Sequence, residues 1–188
     1  MSGIKGNRRT IYTKKVIKES LIELLQSKEI HQITVTNICK KADINRGTFY
    51  LHYKDAFDLL QSMEDELFNQ ILEYINETPI EDYADSLLIK VLELIKENKD
   101  LCKILFCKQR DGRIIDRILY IASKANLELL LYNSGEFDMS NFNYLIRYSV
   151  GGVLAIIQFW LENDALESPR EIVNIINSAN KLHHNFRV

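Results

Sequence analysis

Arg46, Thr48, Tyr50, His52 and Lys54 stand at alternate positions, with Gly47 and Leu51 among them. A guanidinium, two hydroxyls, an imidazole and an ammonium make a set of hydrogen-bonding groups suited to base edges and phosphate oxygens. Arg46 has the geometry to bond a guanine edge at two points. Gly47 costs stability inside a helix, so its presence implies that a base edge or a phosphate approaches closely there. Catalysis finds no comparable support. Glu64, Asp65 and Glu66 read as a solvated helix face and His183 and His184 as a helix end, and no motif sets a nucleophile beside a base. The chain is expected to be no enzyme and to need no cofactor or metal. Cys39, Cys102 and Cys107 are odd in number and lack CxxC spacing, which suits small apolar side chains in a reducing compartment. A Cys102/Cys107 redox switch and a redox effect at Cys39 are the alternatives.

The residues that must position this set run from Ile33 to Leu60. Thr34 caps a short helix from Val35 to Lys41, with Asn37 three residues on and Ile38 and Ala42 facing inward. Asp43 enters left-handed backbone at modest cost, Ile44 plugs the core, and Asn45 caps the next helix, Arg46 to His52. Arg46, Thr48, Tyr50, Leu51 and His52 form the outer face of that helix, and Phe49 and Tyr53 its inner seam. The pattern is a helix-turn-helix whose second helix enters a major groove.

These residues resemble the TetR family of transcriptional regulators, whose pattern here runs roughly T-V-x-x-I-A-x-x-A-G-V-S-x-G-T-F-Y-x-H-F-x-x-K-x-x-L. Thr34, Val35, Ile38, Ala42, Gly47, Thr48, Phe49, Tyr50, His52 and Leu59 or Leu60 match it. Cys39 replaces a small Ala, Asp43 the turn Gly and Asn45 the capping Ser. Ala56 stands where the family often has a phosphate-binding Lys, a contact Lys54 can take over. The resemblance implies DNA contacts by Thr34, Thr36, Arg46, Gly47, Thr48, Tyr50, Leu51, His52 and Lys54. Arg46 and Tyr50 are the expected sequence readers, with Thr36 also reaching a base. Thr48, His52 and Lys54 are the expected phosphate contacts, and Tyr50 fits either class.

Charge supports a nucleic-acid partner. The net charge of the whole chain is −2, yet residues 1–54 carry +7 and residues 55–188 carry −9. A basic head on an acidic body is the footprint of one end that meets phosphates. Met1 to Arg9, with Lys5, Arg8 and Arg9, reads as a flexible basic arm or a frayed terminus. No stretch reaches the roughly 20 apolar residues of a membrane span. The nearest, Val150 to Leu161, is shorter, so a cytoplasmic protein without a membrane partner is expected.

With 7 Gly, 2 Pro and long 3.6-residue periodicities, the fold class is all-α, about nine helices. Residues 1–54 form a three-helix DNA-binding domain continuous with a helical ligand-binding and dimerisation domain, residues 55–188. The first helix runs from about Thr10 to Ser27, and a long one from Asp55 to about Glu77 joins head to body without a linker. Body helices follow at about Ile80 to Glu97, Asn98 to Lys108 and Asp111 to Tyr132. Gln109 to Gly112 and Asn133 to Gly135 punctuate them. The eighth opens at Ser140 and runs to about Asp164. The last opens on a Ser168-x-x-Glu171 capping box with Pro169 in its first turn and runs to about His184.

The eighth helix is apolar nearly all round and must be covered on every side. With the last helix it predicts a four-helix homodimer interface at Val150, Gly151, Gly152, Leu154, Ile157, Ile172, Ile176 and Ala179. The family resemblance places dimerisation there too. It further implies a palindromic operator, repression as the commoner outcome, and release by a small-molecule effector. Met63, Cys102, Phe106 and Tyr120, with Tyr144, Tyr148, Gln158 and Trp160, are candidates to line its pocket, although such residues are more often core. The competing reading is a coregulator or adaptor whose body senses a partner protein.

Overall fold

The computed structural model describes residues 3–79, 83–108, 112–132 and 141–185, with side chains over 8–79, 85–108, 112–125 and 141–179. Among these residues there is no strand, and the helices are α1 (Gly3–Leu25), α2 (Val35–Ala42), α3 (Arg46–Tyr50), α4 (Ala56–Glu77), α5 (Leu88–Glu97), α6 (Lys99–Lys103), α7 (Gly112–Tyr132), α8 (Phe142–Glu162) and α9 (Pro169–Asn185). Residues 80–82, 109–111 and 133–140, with the expected punctuation there and the start at Ser140, lie outside the described set, as do the side chains of Leu182, His183 and His184.

The chain divides into two compact units, Met1–Gln70 and Ile71–Val188. The expected boundary after Lys54 moves because the first half of α4 belongs to the first unit: Ala56, Leu59, Leu60, Met63 and Leu67 are all buried. The boundary therefore falls inside a helix that shows no break.

In the first unit, Ile17, Leu21 and Leu25 form the buried stripe of α1, at the spacing of successive helical turns. They pack with α2, whose Ile38, Cys39 and Ala42 face inward. Helical structure begins at Gly3, so the described part of the expected arm is helix, with Arg8 and Arg9 exposed. Ion pairs Lys41–Glu23 and Lys18–Glu66 tie α1 to α2 and to α4. Each joins at least partly solvated groups and adds little stability on its own.

In the second unit, α5 packs on α9, α7 on α8, and α8 on both α6 and α9. Phe142, Ile146 and Val150 of α8 meet Ile118, Leu119 and Ala122 of α7. The regular helices expected at Ile80 to Glu97 and Asn98 to Lys108 are interrupted: π-helical turns occupy Tyr83–Leu87 and Ile104–Lys108. Such turns widen the backbone and leave carbonyls to be satisfied from elsewhere. Gln158 of α8 does so, its Nε2 donating to the Phe106 carbonyl at 2.7 Å.

α8 ends where Asp164 and Ala165 turn left-handed, φ 58° and 52°. The Ala165 amide returns to the Trp160 carbonyl at 2.9 Å and the Asp164 amide to that of Leu161 at 3.1 Å, the paired bonds of a Schellman stop. Trp160 is core: its indole N–H donates to the Glu167 carbonyl at 3.2 Å, and Lys96 Nζ lies 5.9 Å from the ring centre. Ser168 and Glu171 form the expected capping box at the start of α9. The α8 segment is longer than the apolar run read from sequence, and by length and composition alone its 21 residues suffice to cross a membrane. One such helix is weak grounds for a span, because a core helix of a globular unit meets the same criterion.

Candidate nucleic-acid interface

Local hydrogen bonds build the reader in the order the residue types dictate. Thr34 Oγ1 accepts from the Asn37 amide at 3.2 Å, and Asn37 Oδ1 accepts from the Thr34 amide at 3.0 Å. The two residues thereby satisfy each other's backbone donors at the start of α2. At its end Asp43 is left-handed, φ 50°, and the Ile44 amide reaches the Cys39 carbonyl at 3.0 Å. Asn45 Oδ1 then accepts from the Thr48 amide at 2.7 Å and from Thr48 Oγ1 at 3.0 Å.

α3 is shorter than expected, ending at Tyr50 with Leu51 as its cap and His52 in a turn. The turn brings Tyr53 back into the core beside Phe49, ring centres 5.8 Å apart. Phe49 is fully buried.

Thr34, Thr36, Arg46, Gly47, Tyr50, Leu51 and Lys54 are exposed, while Thr48 and His52 are half-buried. Leu51 is the most open of the apolar ones at 80%. The Thr34 and Thr48 hydroxyls are engaged in capping, so both residues shape the unit as well as facing outward. Gly47 has an internal reason for being small: a Cβ there would lie 3.2 Å from Asn45 Oδ1, the atom that caps α3. Arg46 Nη2 donates to the Tyr50 hydroxyl at 3.2 Å, and this bond raises the guanidinium further above its already high ordinary value. Cys39 is buried, and burial raises its thiol above the ordinary range against the opposing pull of Arg46.

Two features here were not read from sequence. Phe57, 56% exposed, adds an apolar side chain at the start of α4. The opening of α4 is also occupied by its own carboxylates: Asp55 Oδ1 accepts from the Asp58 amide and Asp58 Oδ2 from the Lys54 amide, both at 2.9 Å. The Asp55-x-x-Asp58 spacing is the signal that could have revealed this. Ala56, at the position of the family's Lys, is buried.

The other candidate residues divide by burial. Met63, Cys102 and Trp160 are core, and burial pushes the Cys102 thiol up to about 12. Phe106 and Gln158 are half-buried and joined to each other. Tyr120, Tyr144 and Tyr148 point outward, which removes them from any interior pocket of a single chain. Of the predicted interface, Val150, Ile157, Ile172 and Ile176 are buried within the chain itself and have little surface left for a partner, whereas Leu154 and Ala179 are half-buried and Gly151 and Gly152 exposed. The apolar face of α8 that stays open consists of Tyr144, Leu145, Tyr148, Gly151, Gly152, Ala155 and Phe159. It shares Gly151 and Gly152 with the expected interface and lies on the other side of α8 from Val150 and Ile157, which are buried.

Helices without strands among the described residues, with a capped α2–α3 pair and an outward Arg46–Tyr50 pair, define a helix-turn-helix protein. Residues 82–181 match the family model of the TetR-type transcriptional regulator C-terminal region. The chain belongs to the TetR family of transcriptional regulators. It is 24% identical to DhaS of Lactococcus lactis, the dhaKLM operon transcriptional activator, over 93% of this chain and 94% of that protein. It is also 24% identical to YxbF of Bacillus subtilis, an uncharacterized HTH-type transcriptional regulator, over 83% of this chain but only 41% of that longer protein. A TetR-family regulator of Syntrophomonas wolfei shares the fold with a TM-score of 0.69 at 17% identity, covering 94% of this chain and 96% of that one.

Proposed function

We propose that this protein binds a palindromic operator as a homodimer, represses the adjacent promoter, and is released by a small-molecule effector held in the second unit. The observation that carries the DNA-binding core of this reading is the capped α2–α3 pair with Arg46 and Tyr50 together on its outer side. Thr36, Leu51 and Lys54 flank them as further contacts, Lys54 to phosphate. Two such helices about 34 Å apart enter successive major grooves on one face of the duplex. The second copy docks through the open face of α8. Gly151 and Gly152 sit midway between Tyr144 and Phe159, so a twofold axis at the glycines sets Tyr144 against the Phe159 of the second copy, a self-complementary arrangement. Release by an effector rests on family membership, with α4, unbroken from one unit into the next, as the connecting element.

Selection from a random duplex library, followed by anisotropy across a salt series, tests this. Two chains per site, a palindromic consensus and a linear loss of log affinity with log salt support it. Arg46→Ala should lose about 1–3 kcal/mol at one base position, and Lys54→Ala should weaken all sequences alike. Uniform loss from both variants would remove Arg46 from sequence reading. DhaS is an activator, and this favours activation as the second reading. The sign of a reporter gene driven from the selected site separates the two.

A further inference from the structure

Three side chains in the reader form a line from the core to the outer surface. Phe49 is fully buried; the ring of Tyr50 stands edge-on to it, centres 5.8 Å apart and planes at 85°; the Arg46 guanidinium lies 5.9 Å from the Tyr50 ring centre with Nη2 on its hydroxyl at 3.2 Å. The spacing explains why the line forms. Arg46 and Tyr50 are one helical turn apart and so share a face, whereas Phe49 is turned inward.

An exposed arginine ordinarily samples many rotamers and loses that freedom when it binds. Here the hydroxyl and ring hold the guanidinium beside a residue that is itself braced on a fixed core aromatic. The bond to Tyr50 uses one of the five guanidinium N–H donors, and the remainder still suffice for a two-point contact with a guanine edge.

Building on the DNA-binding reading above, we infer that Tyr50 is a positioning residue: it aims the Arg46 fork at its base and carries the fixed geometry of Phe49 outward. Tyr50 then sets specificity at that base through Arg46. Its hydroxyl matters only while Arg46 is present, and its loss affects one base position.

The test is a double-mutant cycle on the full-length protein with Tyr50→Phe, Arg46→Ala and the double variant, against the selected duplex and its single-base variants. Both side chains are exposed, so thermal melting should be unchanged in all three. Tyr50→Phe should reduce discrimination about three- to tenfold at the base position that Arg46→Ala relaxes, and nowhere else. In the Arg46→Ala background the same substitution should change affinity less than twofold, and the salt slope should match the wild type. Equal loss in both backgrounds, uniform loss across sequences with a shallower salt slope, or no loss at all would overturn the inference while leaving the DNA-binding reading intact. Failure to select any preferred duplex would overturn both.

Discussion

Tyr53 buries a hydroxyl that has no hydrogen-bond partner among the described residues. Burial, with smaller contributions from Glu66 and Asp58, pushes its phenol up to about 12. The family pattern has Phe at this position, and the orphaned hydroxyl shows why: it loses its water contacts and gains none in return. Removing it should therefore help. Tyr53→Phe is expected to raise stability by about 1 kcal/mol, measured as a higher urea midpoint at constant slope. The variant should also lack a pH effect. A folded-state phenol that ionises less readily than the unfolded one loses stability as pH rises from about 10 towards 12. The wild type should show this decline and Tyr53→Phe should not. Asn45, Thr34 and Asp43 were legible at this scale because capping and left-handed turns depend on a residue and its near neighbours. The Arg46–Tyr50 bond was not legible, since the same spacing also allows both side chains to extend independently into solvent.

Among the elements, the start of α9 shows how local chemistry fixes a boundary. Glu171 accepts from the Ser168 hydroxyl and amide, both at 2.7 Å, and these bonds lower its carboxyl below the ordinary range. A depressed carboxyl stabilises the fold above its unfolded pKa, and the contribution fades as pH falls through the folded value. Glu171→Gln should accordingly be less stable than the wild type at neutral pH, with the gap closing as urea melts are moved into the acid range. A gap independent of pH would mean that charge plays no part in the cap. The π-helical turns at Tyr83–Leu87 and Ile104–Lys108 carried no comparable sequence signal. Their register depends on residues far along the chain, as the Gln158 bond to the Phe106 carbonyl illustrates across 52 positions. The recognition helix lost its last two expected residues for a related reason: burial of Tyr53 turns the chain inward after Leu51.

For the whole molecule the decisive element is α8, apolar on two opposite sides. One side, with Val150, Ile157 and Trp160, is buried within the chain; the other leaves Tyr144 76% and Phe159 69% exposed. An apolar stripe of this length on a helix end-to-end favours a covered state. On the proposed dimer, Phe159→Glu is expected to give a monomer by light scattering with helix content unchanged, because its side chain is largely exposed. Its affinity for a two-half-site duplex should fall by about a hundredfold or more, while a single half-site is bound as before. A variant that stays dimeric would move the interface elsewhere.

The sequence by itself determined the all-helical class, the caps of the reader, the outward placing of Arg46 and Tyr50 and the family, because these rest on periodicity, on a local motif and on contacts between residues three to five apart. Tertiary structure alone decided which side of α8 is core, where the first compact unit ends, and which tyrosines face solvent. A helix apolar all round gives no preference for one side in its own sequence. That choice is made by the neighbours it meets, Ile118, Leu119 and Ala122 of α7 among them.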